Sequence, residues 1–170
     1  MELGNRVLVL GCPGSGKSTF ARRLREITHL PLIYLDSVWW RADRTHITRE
    51  EFDSRLEELL SGDSWIMEGD YSRTYEKRIA ACDTAIVLDP GMDACMRGII
   101  DRIGKARPDI PWTEQTLDSE LTEDVRSYRD RKLPVLTAIL EKYPEKQTLI
   151  FRSREAADRW LEEMAKERST

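Results

Sequence analysis

The stretch that decides the fold is residues 11–18, Gly-Cys-Pro-Gly-Ser-Gly-Lys-Ser. It fits the pattern Gly-x-x-x-x-Gly-Lys-Ser at every fixed position. A short run of valine and leucine, Val7 to Leu10, precedes it, and a helical pattern with Phe20 and Leu24 on one face follows. A strand, a glycine-rich loop and a helix in this order are typical of a loop that binds phosphate groups.

The chemistry of this loop follows from its glycines and from the helix behind it. Glycines let successive backbone N–H groups converge on phosphate oxygens, and the helix adds its unpaired amides and the positive end of its dipole. We therefore expect the loop to hold a nucleoside triphosphate, with Lys17 on the β and γ phosphates and the Ser18 hydroxyl on Mg²⁺. The predicted nucleotide-binding residues are Gly11, Cys12, Pro13, Gly14, Ser15, Gly16, Lys17, Ser18 and Thr19.

The rest of the chain alternates between strand and helix patterns. Strands are predicted at 32–35, 65–67, 84–88 and 147–151, and helices at 49–60, 73–81, 92–105, 114–141 with a break or bend at Pro134, and after Ser153. Parallel neighbouring strands need crossover connections, which helices supply, so the pattern predicts a three-layer α/β/α fold with a parallel sheet. No repeat or linker divides residues 1–170, and we expect one domain.

Composition argues against several functional classes. The 27 basic and 31 acidic residues give a net charge of -4, which argues against direct binding to nucleic acid by bulk attraction. The three cysteines lie far apart and predict neither a disulfide framework nor a zinc site, as expected in a reducing cytoplasm. No apolar run reaches the roughly 20 residues that cross a bilayer, so we expect a cytoplasmic protein without a membrane partner. We also expect a monomer or homodimer.

Two acidic residues follow apolar strand patterns and are candidates for the metal side of the site. Glu68 follows Trp-Ile-Met, and Asp89 follows Ile-Val-Leu. The carboxyl ends of neighbouring parallel strands meet at one edge of the sheet, where ligands of open α/β sheets bind. Spacing alone does not choose between them. We favour Glu68, because the polar residues Asp70 and Tyr71 follow it closely.

Together, these segments resemble the adenylate-kinase-like P-loop proteins known as DNA topology modulation proteins. The likeness spans nearly the whole chain and rests on the glycine-rich loop, Asp36 with Trp39 and Trp40, and residues 64–73, 83–89 and 152–154. The resemblance implies the P-loop kinase fold of nucleoside monophosphate kinases, with five parallel strands in the order 2-3-1-4-5. The name of the group does not establish a DNA activity.

The resemblance to adenylate kinases also implies roles for three arginines. Arg73 resembles an arginine that contacts phosphates shortly after an acid-glycine pair, here one residue further along. Arg97 is similar to a first lid arginine, and Arg102 lies one residue after the usual second position. A short, cysteine-free lid is therefore expected within about residues 97–130. Arg129 and its neighbours are weaker candidates for contacts with phosphate groups in this region.

The acceptor region is expected at about residues 36–63, between the second strand and the following helix. Asp36 is expected to bind an acceptor hydroxyl, to act as its general base, or to hold Mg²⁺ through water. Trp39 and Trp40 either stack on an acceptor ring or pack in the core. The candidate acceptor residues are Asp36, Trp39, Asp70, Tyr71 and Arg73.

These observations predict an ATP-dependent phosphotransferase acting on a small acceptor. Its expected catalytic residues are Lys17, Asp36, Arg97 and Arg102. An arginine such as Arg73 favours an acceptor that already bears phosphate, such as a nucleotide. The compact acceptor region instead favours a small hydroxylated metabolite. A third possibility is a nucleotide-dependent regulator with little or no transfer.

Overall fold

The chain forms a five-stranded parallel sheet with helices on both faces. A computed structural model describes residues 3–168. The strands are β1 (Arg6–Gly11), β2 (Leu32–Tyr34), β3 (Trp65–Glu68), β4 (Thr84–Leu88) and β5 (Gln147–Phe151). The helices are α1 (Lys17–Thr28), α2 (Leu35–Trp39), α3 (Arg49–Leu60), α4 (Tyr75–Ala81), α5 (Met92–Asp101), α6 (Ser119–Glu141) and α7 (Arg154–Arg168). The strand order β2-β3-β1-β4-β5 confirms the three-layer α/β/α fold and the order 2-3-1-4-5.

The central strand β1 shows how the sequence builds three layers. Its side chains alternate, so Val7 and Val9 pack with residues of α1 and α7, whereas Leu8 and Leu10 pack with residues of α3, α4 and α6. All four are fully buried. Burial of such side chains contributes about 1.5–3 kcal/mol each, which explains why a continuous apolar run forms the central strand.

The register of the sheet brings the ends of three strands together. In the parallel ladders Val9 is opposite Glu68 on β3, and Gly11 is opposite Leu88 on β4. The glycine-rich loop therefore leaves the sheet beside the ends of β3 and β4. As a result, Glu68 and Asp89 both lie close to the loop that precedes α1.

The segment after β2 differs from the prediction. Leu35 was expected to end a strand, but it begins α2, a helix of five residues. Leu35 is fully buried in the core cluster between the sheet and α3, so its burial in the core outweighs its strand pattern. Asp36 and Trp39 consequently lie on one short helix at the edge of the sheet.

The helices near the predicted lid also have different ends. Helix α6 begins at Ser119, not at 114, because the Asp118 carboxylate accepts hydrogen bonds from the N–H groups of Glu120 and Leu121. Pro134 lies inside α6 without ending it, so of the predicted break or bend the break is wrong. Helix α5 ends at Asp101. Residues 102–118 are therefore left as the connection between the two helices. Within residues 3–168 no helix is both long enough and apolar enough to cross a membrane.

Candidate active site

The glycine-rich loop has the backbone geometry that its sequence predicts. Gly14 and Gly16 have φ angles of 78° and 100°, a region that glycine enters without steric cost. A Cβ atom on Gly14 would lie 2.1 Å from the carbonyl oxygen of Cys95, whereas one on Gly16 would meet no atom within 4 Å. Gly14 thus allows the close approach of α5, and Gly16 faces open space ahead of α1.

Polar atoms inside the loop are arranged around this open space. Lys17 is 8% exposed, and its Nζ donates a hydrogen bond of 3.0 Å to the Cys12 carbonyl oxygen of the same loop. The buried Ser15 hydroxyl has no hydrogen-bond partner among residues 3–168. A buried polar group without a partner costs about 1–3 kcal/mol, so this hydroxyl is available to a phosphate oxygen. Arg154 supports the loop from outside by donating to the Gly14 carbonyl at 2.7 Å.

Glu68 is a buried acid at the end of β3. Its residue is 5% exposed, and its carboxylate makes no hydrogen bond or ion pair within the described part of the chain. Burial raises the pKa of Glu68 to about 7, Lys17 lowers it, and the nearby acids Asp36 and Asp109 raise it. Glu68 therefore changes charge near neutral pH.

Asp89, the other strand-end acid, is neutralised by two arginines. Arg129 of α6 binds its carboxylate at 3.2 Å, and Arg152 after β5 binds it at 2.9 Å. Asp89 is buried, and its own N–H donates to the Phe151 carbonyl. These contacts tie β4 to β5 and α6, and the arginines already occupy the oxygens that a metal ion would need. Arg129 thus contacts an acid of the sheet.

Asp36 is oriented by a tyrosine from the loop after β3. The Tyr71 hydroxyl donates a hydrogen bond of 2.7 Å to Asp36 Oδ1. Burial raises the pKa of Asp36, the Tyr71 hydrogen bond lowers it, and the negative charge of Asp109 raises it. The Asp36 carboxyl is thus fixed in direction and holds its proton more strongly than an exposed aspartate.

Aromatic rings form a wall beside Asp36. The Trp39 ring stacks on His46 at 4.4 Å between centroids and meets Phe52 edge to face at 5.5 Å. Trp40 meets Trp112 edge to face at 5.4 Å. Trp39, the last residue of α2, and Trp40, which follows it, are both half-buried and line the cavity. They therefore pack against neighbours and still present surface to a ligand.

Two predicted acceptor residues already have charged partners. The two terminal guanidinium nitrogens of Arg73 bind the Asp53 carboxylate of α3 at 2.7 and 2.9 Å. Asp70 accepts hydrogen bonds from the Tyr75 hydroxyl and, at 2.8 Å, from Lys132 Nζ of α6. Both acceptor candidates line the cavity, but their charges are balanced within the protein.

The connection 102–118 folds over the acceptor side of the site. Arg102 Nε lies 2.8 Å from the Glu114 carboxylate, and Arg107 binds Asp109 at 2.7 Å and Glu114 at 3.1 Å. The Ser37 hydroxyl donates to the Asp109 carbonyl at 2.8 Å and so joins this lid to α2. Burial and the charge of Arg107 lower the pKa of Arg102.

The acids of this lid, Asp109 and Glu114, were not among the predicted site residues. Both follow Arg107 within seven residues, but this spacing does not show that they bind the lid arginines. Arg97 is exposed on α5 and does not line the cavity. The structure therefore brings Arg102 to the site and leaves Arg97 outside it.

One cavity of about 1200 Å³ joins the glycine-rich loop to Asp36 and the lid. This volume exceeds the roughly 300–1,000 Å³ of a typical small-ligand pocket and leaves room for two substrates. Of the predicted residues, Gly11, Cys12 and Arg97 do not line it. Those that do are Pro13, Gly14, Ser15, Gly16, Lys17, Ser18, Thr19, Asp36, Trp39, Glu68, Asp70, Tyr71, Arg73 and Arg102.

Comparison with solved structures shows the same fold in known proteins. A shikimate kinase from Acinetobacter baumannii in complex with shikimate matches with a TM-score of 0.60 and 15% identity, covering 95% of this chain and 94% of that chain. A shikimate kinase from Bacteroides thetaiotaomicron matches with a TM-score of 0.59 and 17% identity, with the same coverage. No protein-family model and no curated protein matches the sequence. The chain therefore shares the fold of these shikimate kinases, and the resemblance to DNA topology modulation proteins stays a prediction.

Proposed function

We propose that the protein is a phosphotransferase that moves the γ-phosphoryl group of ATP to a small acceptor. The observation that carries the proposal is the single cavity, which joins the loop before α1 to the Asp36 carboxyl. A phosphoryl donor and its acceptor must lie in one enclosed space, because the protein mainly positions them and stabilises charge. The similar solved structures are kinases by name, which supports the proposal at the level of fold.

Ser18 and Glu68 are the residues that we propose on the metal side. Among the described residues no cluster of three or more His, Cys, Asp or Glu side chains is arranged to hold a metal ion. Mg²⁺ commonly uses one or two carboxylates together with phosphate oxygens and water, so a lone acid fits a metal that arrives with ATP. The arginine contacts of Asp89 favour Glu68 for this role. Bound Mg²⁺ would offset part of the phosphate charge.

Charge on the transferred group would be stabilised by Lys17 and Arg102. Lys17 lies in the loop, Arg102 lies in the lid, and both line the same cavity. Cationic groups placed in advance around a phosphoryl group are worth more in an enclosed site than in water. Arg97 lies outside the cavity, so we assign it no contact in this arrangement of the lid.

Asp36 is the residue that we propose to meet the acceptor hydroxyl. A raised pKa suits a group that accepts a proton near neutral pH, and Tyr71 fixes the direction of the carboxyl. The pairing of Arg73 with Asp53 weakens the argument for an acceptor that already bears phosphate. We therefore favour a small hydroxylated metabolite over a nucleotide as the acceptor.

The test is ADP release from ATP and Mg²⁺ in the presence of a panel of acceptors. The panel contains polyols, hydroxy acids and nucleoside monophosphates, and the expected result is acceptor-dependent release with a hydroxylated metabolite. Lys17→Ala and Asp36→Asn should abolish the stimulation, whereas the exposed control Glu58→Gln should keep it. Nucleotide binding without stimulation by any acceptor would refute the kinase and support the regulator.

A further inference from the structure

Arg78 on α4 is fully buried, and within residues 3–168 it forms no ion pair with a carboxylate. Its guanidinium instead donates to three successive backbone carbonyls of the loop after β3. The donor–acceptor distance is 2.9 Å to the Gly69 carbonyl and 3.2 Å to the Tyr71 carbonyl. The third acceptor is the carbonyl of Asp70, the residue between these two in the sequence. Its Nε also donates to the Thr74 hydroxyl at 2.9 Å. Every branch of the guanidinium therefore has an acceptor.

Only an arginine suits this arrangement. Removing a cation from water costs several kcal/mol unless its donors are satisfied, and the planar guanidinium presents five donors in a fixed fork. A lysine has a single nitrogen, which cannot replace the three guanidinium nitrogens that bind the three carbonyls and the Thr74 hydroxyl. The charge of Arg78 thus serves to bind one stretch of backbone.

The loop held by Arg78 has an unusual conformation. Tyr71 has a φ angle of 38°, in the left-handed region that costs a residue with a side chain about 1–2 kcal/mol. Such a conformation persists where the surroundings hold it. In this conformation the Tyr71 hydroxyl reaches Asp36 at 2.7 Å, and the Tyr71 carbonyl accepts hydrogen bonds from both Arg78 and the Thr74 hydroxyl.

We infer that Arg78 is a positioning residue that fixes Tyr71 and, through the Tyr71 hydroxyl, the direction of the Asp36 carboxyl. The linkage from Arg78 to Asp36 stands on the hydrogen bonds alone. Its last step, the presentation of Asp36 to an acceptor, rests on the proposed function. Arg78 itself does not line the cavity and touches no reacting group.

The linkage can be measured without any substrate. The chain has five tyrosines, so tyrosine labelled with ¹³C at Cζ gives five resolvable NMR signals, and Tyr71→Phe identifies the signal of Tyr71. Asp36→Ala gives the position of that signal when the hydroxyl has lost its acceptor. We expect Arg78→Lys to shift the signal toward the Asp36→Ala position. Arg55→Lys, an exposed arginine on α3, serves as the matched control and should leave it unchanged.

Thr74 provides a second route to the same test, because Arg78→Lys risks unfolding a protein that buries this side chain. Thr74→Val removes the hydroxyl that binds both Arg78 and the Tyr71 carbonyl, and Thr74→Ser keeps it. We expect the valine variant to shift the Tyr71 signal and the serine variant to retain it. If Arg78→Lys does not fold, an unchanged Tyr71 signal in the valine variant would overturn the inference, because this variant removes an acceptor of Arg78 as well as a donor to the Tyr71 carbonyl.

Kinetics distinguish a positioning role from a loss of stability. With the acceptor found in the ADP-release assay, folded Arg78→Lys should lose roughly 100-fold in acceptor kcat/KM, the effect of a small misplacement of a reacting group. The KM for ATP should stay within about two-fold, because Arg78 lies away from the glycine-rich loop. A folded variant with the wild-type Tyr71 signal would overturn the inference. Absence of acceptor turnover in the wild type would instead refute the proposed function and leave the NMR result to decide the linkage.

Discussion

Replacing Glu68 by glutamine should make the protein more stable at alkaline pH and no more stable at acid pH. Glutamine has nearly the shape of protonated glutamic acid and carries no charge at any pH. Glu68 is 5% exposed and has no hydrogen-bond partner in the described part of the chain. Its ionised form is therefore poorly solvated, and the positive charge of Lys17 compensates for this only in part.

The size of the effect follows from the pKa of Glu68. Burial raises this pKa from 4.5 to about 7. Below pH 4.5 the carboxyl is protonated in both the folded and the unfolded chain. In this range Glu68 does not lower the free energy of unfolding, because the buried carboxyl carries no charge. Between pH 4.5 and about 7 the unfolded chain ionises first, so the wild type loses stability as the pH rises. The loss is about 3 kcal/mol and is complete above the folded pKa.

The assay is denaturant unfolding of the wild type and Glu68→Gln between pH 4 and pH 8.5. The two free energies of unfolding should be similar near pH 4 and should separate by about 3 kcal/mol by pH 8.5. Glu58→Gln, an exposed glutamate on α3, is the control for a general effect of removing one negative charge. Its difference from the wild type should stay within about 0.5 kcal/mol at every pH.

Lys17 gives the reasoning a second check. Its positive charge lowers the pKa of Glu68 in the folded chain, so Lys17→Met should make the separation between the glutamate and glutamine forms larger and extend it to higher pH. Parallel stability curves for wild type and Glu68→Gln would refute the account, since they would mean that Glu68 ionises equally easily in both states. If the difference in free energy of unfolding between the glutamate and glutamine forms depends on pH in the same way with and without Lys17→Met, Lys17 and Glu68 do not interact.

Three further predictions concern the loop and its neighbouring acids. Lys17→Ala should reduce turnover by roughly 100-fold or more while the melting temperature stays within a few degrees, since Nζ donates its hydrogen bond within residues 3–168 to the loop carbonyl of Cys12; ADP release and calorimetry measure both. Gly16→Ala should strain the backbone at a φ of 100° and lose ATP binding in calorimetry because its Cβ enters the space ahead of α1, whereas Gly14→Ala should destabilise the fold more, as its Cβ would also collide with α5. Asp89→Asn should lower the free energy of unfolding by about 1–3 kcal/mol and leave the Mg²⁺ dependence of ATP binding unchanged, whereas Glu68→Gln should weaken that dependence.

The parts of the fold that could be predicted are those determined by neighbouring residues. Helix α3 has the predicted bounds because Thr48 caps it, and its hydroxyl accepts a hydrogen bond of 3.1 Å from the Glu51 N–H. Strand β4 also has the predicted bounds, since five consecutive buried residues fit only a strand covered on both faces. The conformation of the loop at 11–18 could also be predicted, because its glycines allow the positive φ angles that the loop needs.

The parts that could not be predicted depend on residues distant in sequence. Arg73 was expected to face a phosphate, but Asp53, 20 residues earlier, binds its guanidinium. Arg78 has the sequence context of an ordinary surface residue on a short helix, and only the curvature of the loop after β3 places three carbonyls around it. Neither contact leaves a periodicity or spacing that a single sequence would reveal.

The two strand-end acids show why this distinction matters for function. Glu68 and Asp89 each follow a buried apolar run, and their local sequences do not separate a metal-side acid from a structural one. What distinguishes the two acids is that Arg129 and Arg152 bind the carboxylate of Asp89. These arginines lie 40 and 63 residues after it in the sequence. Within residues 3–168 no guanidinium binds Glu68, so its oxygens stay free at the cavity and burial raises its pKa to about 7. An arginine placed near Glu68 would therefore be expected to reverse the roles, since it would hold the acid ionised and occupy the oxygens that a metal ion needs.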